Sequence, residues 1–184
     1  MSEPARLPRM TSDQFIAWAM EQPEGARYEL VEGEIVAMAP ERSAHALMKG
    51  RTYRSLAEAV EAAGLPCTVY PDGMAVIVDE RTTYEPDAMV RCGEALPEDA
   101  VKVLDPMIVV EVASPSTQAL DAGAKLADYF RVPSLRHYLI VRTKGRRCAI
   151  LHSRDEAGTI TTRIVRDGAV ELDPPGIAIR GLFG

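Results

Sequence analysis

The run Met107-Ile108-Val109-Val110-Glu111-Val112-Ala113-Ser114 constrains the chain more than any other segment. Apolar residues, several of them β-branched, occupy both alternating faces, the pattern of a strand covered on two sides. Such a strand needs a layer packed on each face of its sheet. One ionisable residue, Glu111, interrupts it. An ionised carboxylate taken out of water is costly unless something compensates it. The position therefore calls for a metal, a lysine or a second carboxylate, and Asp87 upstream and Lys125 downstream are the nearest candidates.

A chain of 184 residues is expected to be one domain, spanning 1–184 and large enough to bury a core. Its 47% hydrophobic and 26% charged fractions place it among soluble globular proteins rather than disordered or membrane ones. Apolar runs are far too short for a membrane span, and Met1 to Met10 lacks a signal-like apolar stretch. Cys67, Cys92 and Cys148 are odd in number and widely spaced, which fits neither a disulfide framework nor a zinc site. The expectation is a cytoplasmic chain with reduced thiols.

The net charge of −6 argues against an unspecialised nucleic-acid binder. The charge is unevenly placed, however. Arg131, Arg136, Arg142, Lys144, Arg146, Arg147 and Arg154 occur in a stretch with no Asp or Glu, and Lys49, Arg51 and Arg54 form a second cluster. Two readings stay open: solvated faces, or surfaces that hold a polyanion.

Thr11-Ser12-Asp13-Gln14 fits a capping box opening a short helix with Phe15, Trp18 and Ala19 inward. Glu32-Gly33 between two apolar runs predicts a β-hairpin. A long helix is expected from Ser43 to Gly64, with Leu47, Gly50, Tyr53, Leu56, Ala57, Val60 and Ala63 on one stripe. Strands are expected at 67–70, 73–78 and 84–91, then a loop with a helical turn from Cys92 to Pro106, then the Glu111 strand. Ser114-Pro115-Ser116-Thr117 can break that strand and cap a helix over 118–130, with strands following at 136–141, 147–152 and 159–165. The order predicts a mixed α/β (α+β) sheet with helices packed on it.

Asp87 and Glu111 fall on successive predicted strands, so they converge if those strands are neighbours. Paired carboxylates suit Mg²⁺ or Mn²⁺, which can activate a water and stabilise a leaving oxygen. The plainer alternative makes Asp87 a turn residue and Glu111 an edge-strand residue. Asp121, Lys125 and Tyr129 are spaced by four and share one helical face. Lys125 can then stabilise phosphorane-like charge, or simply pair with Asp121 in solvent. His45 is either a helix-end residue or a phosphate contact at the rim. Glu29, Glu32 and Glu34 suit the hairpin better than an outer ligand shell, and His137 and His152 are expected to be structural.

Tyr28-Glu29-Leu30-Val31-Glu32-Gly33-Glu34-Ile35, His45, Pro86-Asp87, Val110-Glu111-Val112-Ala113-Ser114-Pro115-Ser116-Thr117 and Asp121-x3-Lys125-x3-Tyr129 follow in that order. In this the chain resembles the Uma-type restriction endonuclease family, a branch of the PD-(D/E)XK nuclease superfamily. The resemblance implies an α-β-β-β-α-β core, here with an N-terminal helix and hairpin and extra C-terminal strands. It also implies Mg²⁺ or Mn²⁺ on Asp87 and Glu111, and cleavage of DNA. The superfamily places a lysine two residues past the glutamate; here that residue is Ala113, and the resemblance assigns the lysine role to Lys125. His45 and Asp121 are expected to support the site. Arg142, Lys144, Arg146 and Arg147 are expected to contact nucleic acid, and a homodimer would match the two-fold symmetry of duplex DNA. The rival expectation is a nuclease-fold binding or regulatory module without turnover.

Overall fold

The computed structural model of the chain describes residues 9–113, 121–142 and 147–183, the side chains of residues 121 and 122 excepted. Helix α1 (Ser12–Met20) opens on the expected capping box: Thr11 accepts from the Gln14 N–H while the Gln14 side chain accepts from the Thr11 N–H. Phe15 is its buried anchor. Strands β1 (Tyr28–Val31) and β2 (Glu34–Ala37) form the hairpin. Its turn puts Glu32 at φ 50° and Gly33 at φ 83°, the two positive values a tight hairpin turn uses.

Helix α2 (Ser43–Ala63) ends at Gly64, which takes a left-handed φ of 61°. Its buried stripe differs from the expected one. Met48, Lys49, Thr52, Ser55, Leu56, Ala59 and Val60 face inward, whereas Leu47 and Tyr53 are exposed. Polar residues on the inner face rotate the stripe away from the one that apolar spacing alone selects.

Three of the next strands, β3 (Cys67–Pro71), β4 (Ala75–Asp79) and β5 (Thr82–Tyr84), precede the largest departure from expectation. The segment 84–91 is not one strand. Strand β5 pairs in one sheet and β6 (Ala88–Cys92) in another, with Glu85-Pro86-Asp87 crossing between them. Pro86 offers no N–H to a ladder, which favours a break there. The following loop contains a short strand, β7 (Lys102–Val103), parallel to β4, in place of the expected helical turn.

Strand β8 (Ile108–Ala113) carries Glu111; then come α3 (Asp121–Tyr129), β9 (His137–Arg142), β10 (Cys148–Arg154), β11 (Ile160–Val165) and the hairpin β12 (Val170–Leu172) with β13 (Ile177–Ile179). The strand break and cap expected at 114–117 lie outside the described residues. The six-stranded sheet runs β11-β10-β9-β8-β6-β3, so β8 is interior, not an edge. It is antiparallel to β6 and parallel to β9. Counting this sheet alone, α2, β3, β6, β8, α3 and β9 give the expected α-β-β-β-α-β core. The second sheet runs β2-β1-β5-β4-β7.

Both faces of β8 are covered. On one, α2 and the β12–β13 hairpin bury Leu56, Val110, Leu139, Leu172 and Ile179. On the other, α3 and the second sheet bury Val76, Tyr84, Val109, Tyr129 and Tyr138. Among the described residues no helix is long and apolar enough to cross a membrane. The expectation of reduced thiols is corrected. Cys67 and Cys92 stand directly opposite in the β3–β6 register and are joined by a disulfide, while Cys148 is free and buried. The pairing follows from sheet register across 25 residues, which linear spacing does not reveal.

Candidate active site

The β6–β8 ladder runs to Ala88 opposite Val110, so Asp87, one residue before, stands across from Glu111. The two acids expected to converge do share one place on the sheet. Asp87 is only 5% exposed. Its Oδ2 accepts from the Val112 N–H at 2.6 Å, and its Oδ1 lies 2.9 Å from Lys49 Nζ. His45 donates from Nε2 to the Val112 carbonyl at 2.6 Å and lies 3.9 Å from Asp87. The backbone next to Glu111 is thus gripped at its N–H by Asp87 and at its C=O by His45.

Lys49, which the sequence offers only as part of a basic surface cluster with Arg51 and Arg54, belongs instead to the site. It reaches inward from α2, 6% exposed, and its Nζ also meets Glu41 Oε1 at 2.5 Å and Asp72 Oδ2 at 2.7 Å. Arg27 backs this group, bonding Glu85 at 2.7 Å, Glu41 at 3.0 Å and Asp72 at 3.1 Å.

On the other side of the pair, Lys125 Nζ lies 3.0 Å from Glu111 Oε1 and 2.8 Å from Glu29 Oε1. The Tyr129 hydroxyl donates to the same Glu111 oxygen at 2.8 Å. Lys125 is thus held between two carboxylates of the site, and Glu29 is a buried member of it rather than a hairpin residue alone. The i, i+4 spacing of Lys125 and Tyr129 was the signal for Tyr129. Lys125 also sits 4.8 Å over the Tyr84 ring, whose hydroxyl donates to Asp128 at 2.6 Å.

Charge fixes what these groups can do. Burial, then the negative charge of Glu111, pushes the Asp87 carboxyl above the ordinary aspartate range, against the pull of Lys49 and the Val112 N–H. Burial works against the Lys125 cation, but Glu111 and Glu29 outweigh it and hold its pKa above the usual lysine value. Lys49 behaves alike: burial opposes its charge, and its bonds to Asp72, Glu41 and Asp87 prevail. Both lysines are therefore fixed cations, not bases. Burial and the nearby carboxylates raise Tyr129, leaving it a neutral donor.

Among the described residues, Glu29, Glu41, Asp72, Glu85, Asp87 and Glu111 share three fixed cations, Arg27, Lys49 and Lys125, with His45 near Glu41 and Asp87. That excess of carboxylate favours an additional cation. Among the described residues no three His, Cys, Asp or Glu side chains are spaced to hold a metal unaided. The donors on this edge are oxygens, as a hard divalent ion carrying its own waters requires. Both hydrogen bonds to Glu111 fall on Oε1, so Oε2 takes none among the described residues. This donor set fits Mg²⁺ or Mn²⁺.

The basic segment divides. Arg131 pairs with Asp79, and Arg154 donates to the carbonyls of Phe130, Val132, Pro133 and Leu135, so these two serve the fold. Arg142 lies in register beside Ala113 on the parallel neighbour β9, on the face that carries Glu111. Arg147 is exposed. Lys144, Arg146 and the Asp121 side chain lie outside the described residues. His137 is buried between Ser153 and the Pro174 carbonyl, and His152 bonds Thr162.

Three comparisons agree with this architecture. An uncharacterized protein of Synechocystis sp., slr1290, is 25% identical over 178 residues, covering 96% of this chain and 92% of its own length. The crystal structure titled as "a putative nuclease belonging to DUF820 from Anabaena variabilis" matches with TM-score 0.72 at 14% identity, over 95% of this chain and 97% of that one. That likeness speaks for the fold. The model of the family Uma2, described as "Putative restriction endonuclease", matches residues 12–180. With nearly the whole chain matched and a nuclease-like fold around the paired acids, the protein belongs to the Uma2 family of restriction-endonuclease-like proteins.

Proposed function

We propose that the chain is a metal-dependent endonuclease that hydrolyses DNA phosphodiester bonds in the cytoplasm. The observation that carries this reading is the pairing of buried Asp87, just before β6, with part-buried Glu111 on the neighbouring strand β8, each tied to a lysine from a different helix. Asp87, Glu111 and the Val112 carbonyl would hold Mg²⁺ or Mn²⁺. When bound, such an ion supplies a water of lowered pKa and neutralises charge at the leaving oxygen.

The chain's own groups do the rest. Asp87 and His45 fix the Val112 peptide, which keeps Glu111 in position. Tyr129 orients the Glu111 carboxylate. Lys125, held as a cation, sets positive charge beside the scissile phosphate and stabilises the charge that builds there. Asp121, one turn earlier on α3, supports it. Arg142 and Arg147, with Lys144 and Arg146, take backbone phosphates of the DNA. A homodimer cuts both strands of a duplex.

Nicking of supercoiled plasmid in Mg²⁺ or Mn²⁺ tests the proposal. Metal-dependent nicking by the wild type that is lost in Glu111→Ala is expected; equal nicking by both proteins contradicts it. The second reading, a nuclease-fold module that binds without turnover, draws on Ala113 and on lysines already paired to both acids. It predicts no nicking but DNA binding that weakens by about 0.9 log units per phosphate contact for each log unit of salt.

A further inference from the structure

Lys49 Nζ has three carboxylate neighbours from three separate segments: Glu41 Oε1 at 2.5 Å, Asp72 Oδ2 at 2.7 Å and Asp87 Oδ1 at 2.9 Å. Only one of them, Asp87, belongs to the acid pair. Its two oxygens are divided: Oδ1 faces Lys49, while Oδ2 accepts from the peptide beside Glu111. Two-metal hydrolases hold a second divalent ion roughly 3.5–4 Å from the first. Here the second cation position holds an ammonium. We infer that Lys49 takes the place of a second metal ion and sets the site to one divalent cation per chain.

The inference rests on the nuclease reading above and refines it. Three features make the exchange a physical one. Lys49 is 6% exposed and anchored in the middle of α2, so the ammonium cannot swing into solvent and leave the position open. The three oxygens stand at ammonium distances, wider than the roughly 2.0–2.1 Å that Mg²⁺ demands. Glu41 and Asp72 have no evident duty toward Glu111; their bonds go to Lys49 and Arg27, and Glu41 also approaches His45. A single positive charge on a fixed stem thus does here what a divalent ion would do, without metal exchange.

Calorimetric titration with Mn²⁺ tests this, supported by the Mn²⁺ spin-resonance spectrum. The wild type should bind one Mn²⁺ per chain and give the spectrum of an isolated ion. Lys49→Ala, with its three carboxylates released, should bind two and show the coupling of a close pair; adding Asp72→Asn should return it to one. Should Lys49→Ala be poorly folded without metal, Mn²⁺ should raise its melting temperature by more than it raises that of the wild type. Two ions in the wild type, or one ion and an unenlarged melting shift in Lys49→Ala, overturns the inference while leaving the nuclease reading intact. No Mn²⁺ bound by the wild type, together with no nicking, overturns both.

Discussion

The two halves of the acid pair are built on different principles. Glu111 sits in a strand, and its partners Lys125 and Tyr129 lie one helical turn apart on α3, with Glu29 from β1 closing the group. Asp87 sits in a crossing between two sheets, and its cation, Lys49 from α2, is shared with Glu41 and Asp72 from two connecting segments. Redundancy differs too. Among the described residues Lys125 is the only side-chain cation bonded to Glu29 and Glu111, whereas Glu41 and Asp72 keep Arg27 when Lys49 is gone. The Glu111 half is thus a tight pair with one cation, and the Asp87 half a network with two. The first should be brittle, the second tolerant.

Lys125→Ala gives the largest expected effect. It strands two carboxylates with little solvent access, and breaking a buried pair from one side costs about 3–5 kcal/mol. Single-turnover cleavage should also fall by roughly 10²–10³, the loss typical of one electrostatic stabiliser. Urea melts and rapid-quench assays read the two effects. A neutral outcome in the melts would make Lys125 a surface residue and end the comparison.

Lys49→Ala should destabilise less, by about 1–3 kcal/mol in metal-free buffer, since Arg27 still serves Glu41 and Asp72 and the Val112 N–H still serves Asp87. If the same melts rank Lys49→Ala above Lys125→Ala, redundancy is not what separates the halves. Tyr129→Phe is smaller again. It removes one hydrogen bond to a carboxylate that Lys125 keeps, so a loss of about 1–2 kcal/mol is expected.

The smallest effect lies outside both halves and sets the background. Burial lowers the pKa of His137 and of His152, so both stay neutral in the fold. As pH falls through about 6.5 the unfolded chain takes up protons that the fold refuses, and stability drops until the folded pKa is reached. Urea midpoints at pH 7.5 and 5.5 should therefore show lower stability at the acid end. The difference should shrink in His152→Gln. A midpoint that rises at pH 5.5 would assign the response to the carboxylates instead.

The same contrast governs what could be seen in the sequence. The Glu111 half is local: an acid in an apolar strand, then a lysine and a tyrosine at helical spacing, each readable from periodicity. The Asp87 half depends on tertiary placement. Glu41 and Asp72 lie between elements, where no period marks them. Lys49 was hidden because the apolar spacing of α2 selects a stripe through Leu47 and Tyr53, which the fold exposes. The 84–91 run reads as one strand only if Glu85-Pro86-Asp87 is taken as an irregularity within it, whereas the chain changes sheets at those three residues. Glu29 looked like a hairpin residue because only α3 reveals its partner. The disulfide, likewise, is a consequence of register rather than spacing.

The central claim is that Asp87 and Glu111 together form a cation site, and thermal melts with EDTA or excess Mg²⁺ test it most directly. Wild type should be stabilised by metal, by up to about 2.7 kcal/mol at one hundred times the dissociation constant. Asp87→Asn and Glu111→Gln should each lose that response while remaining folded in EDTA. A wild-type melt that ignores metal, or a response that persists in both variants, would contradict the claim.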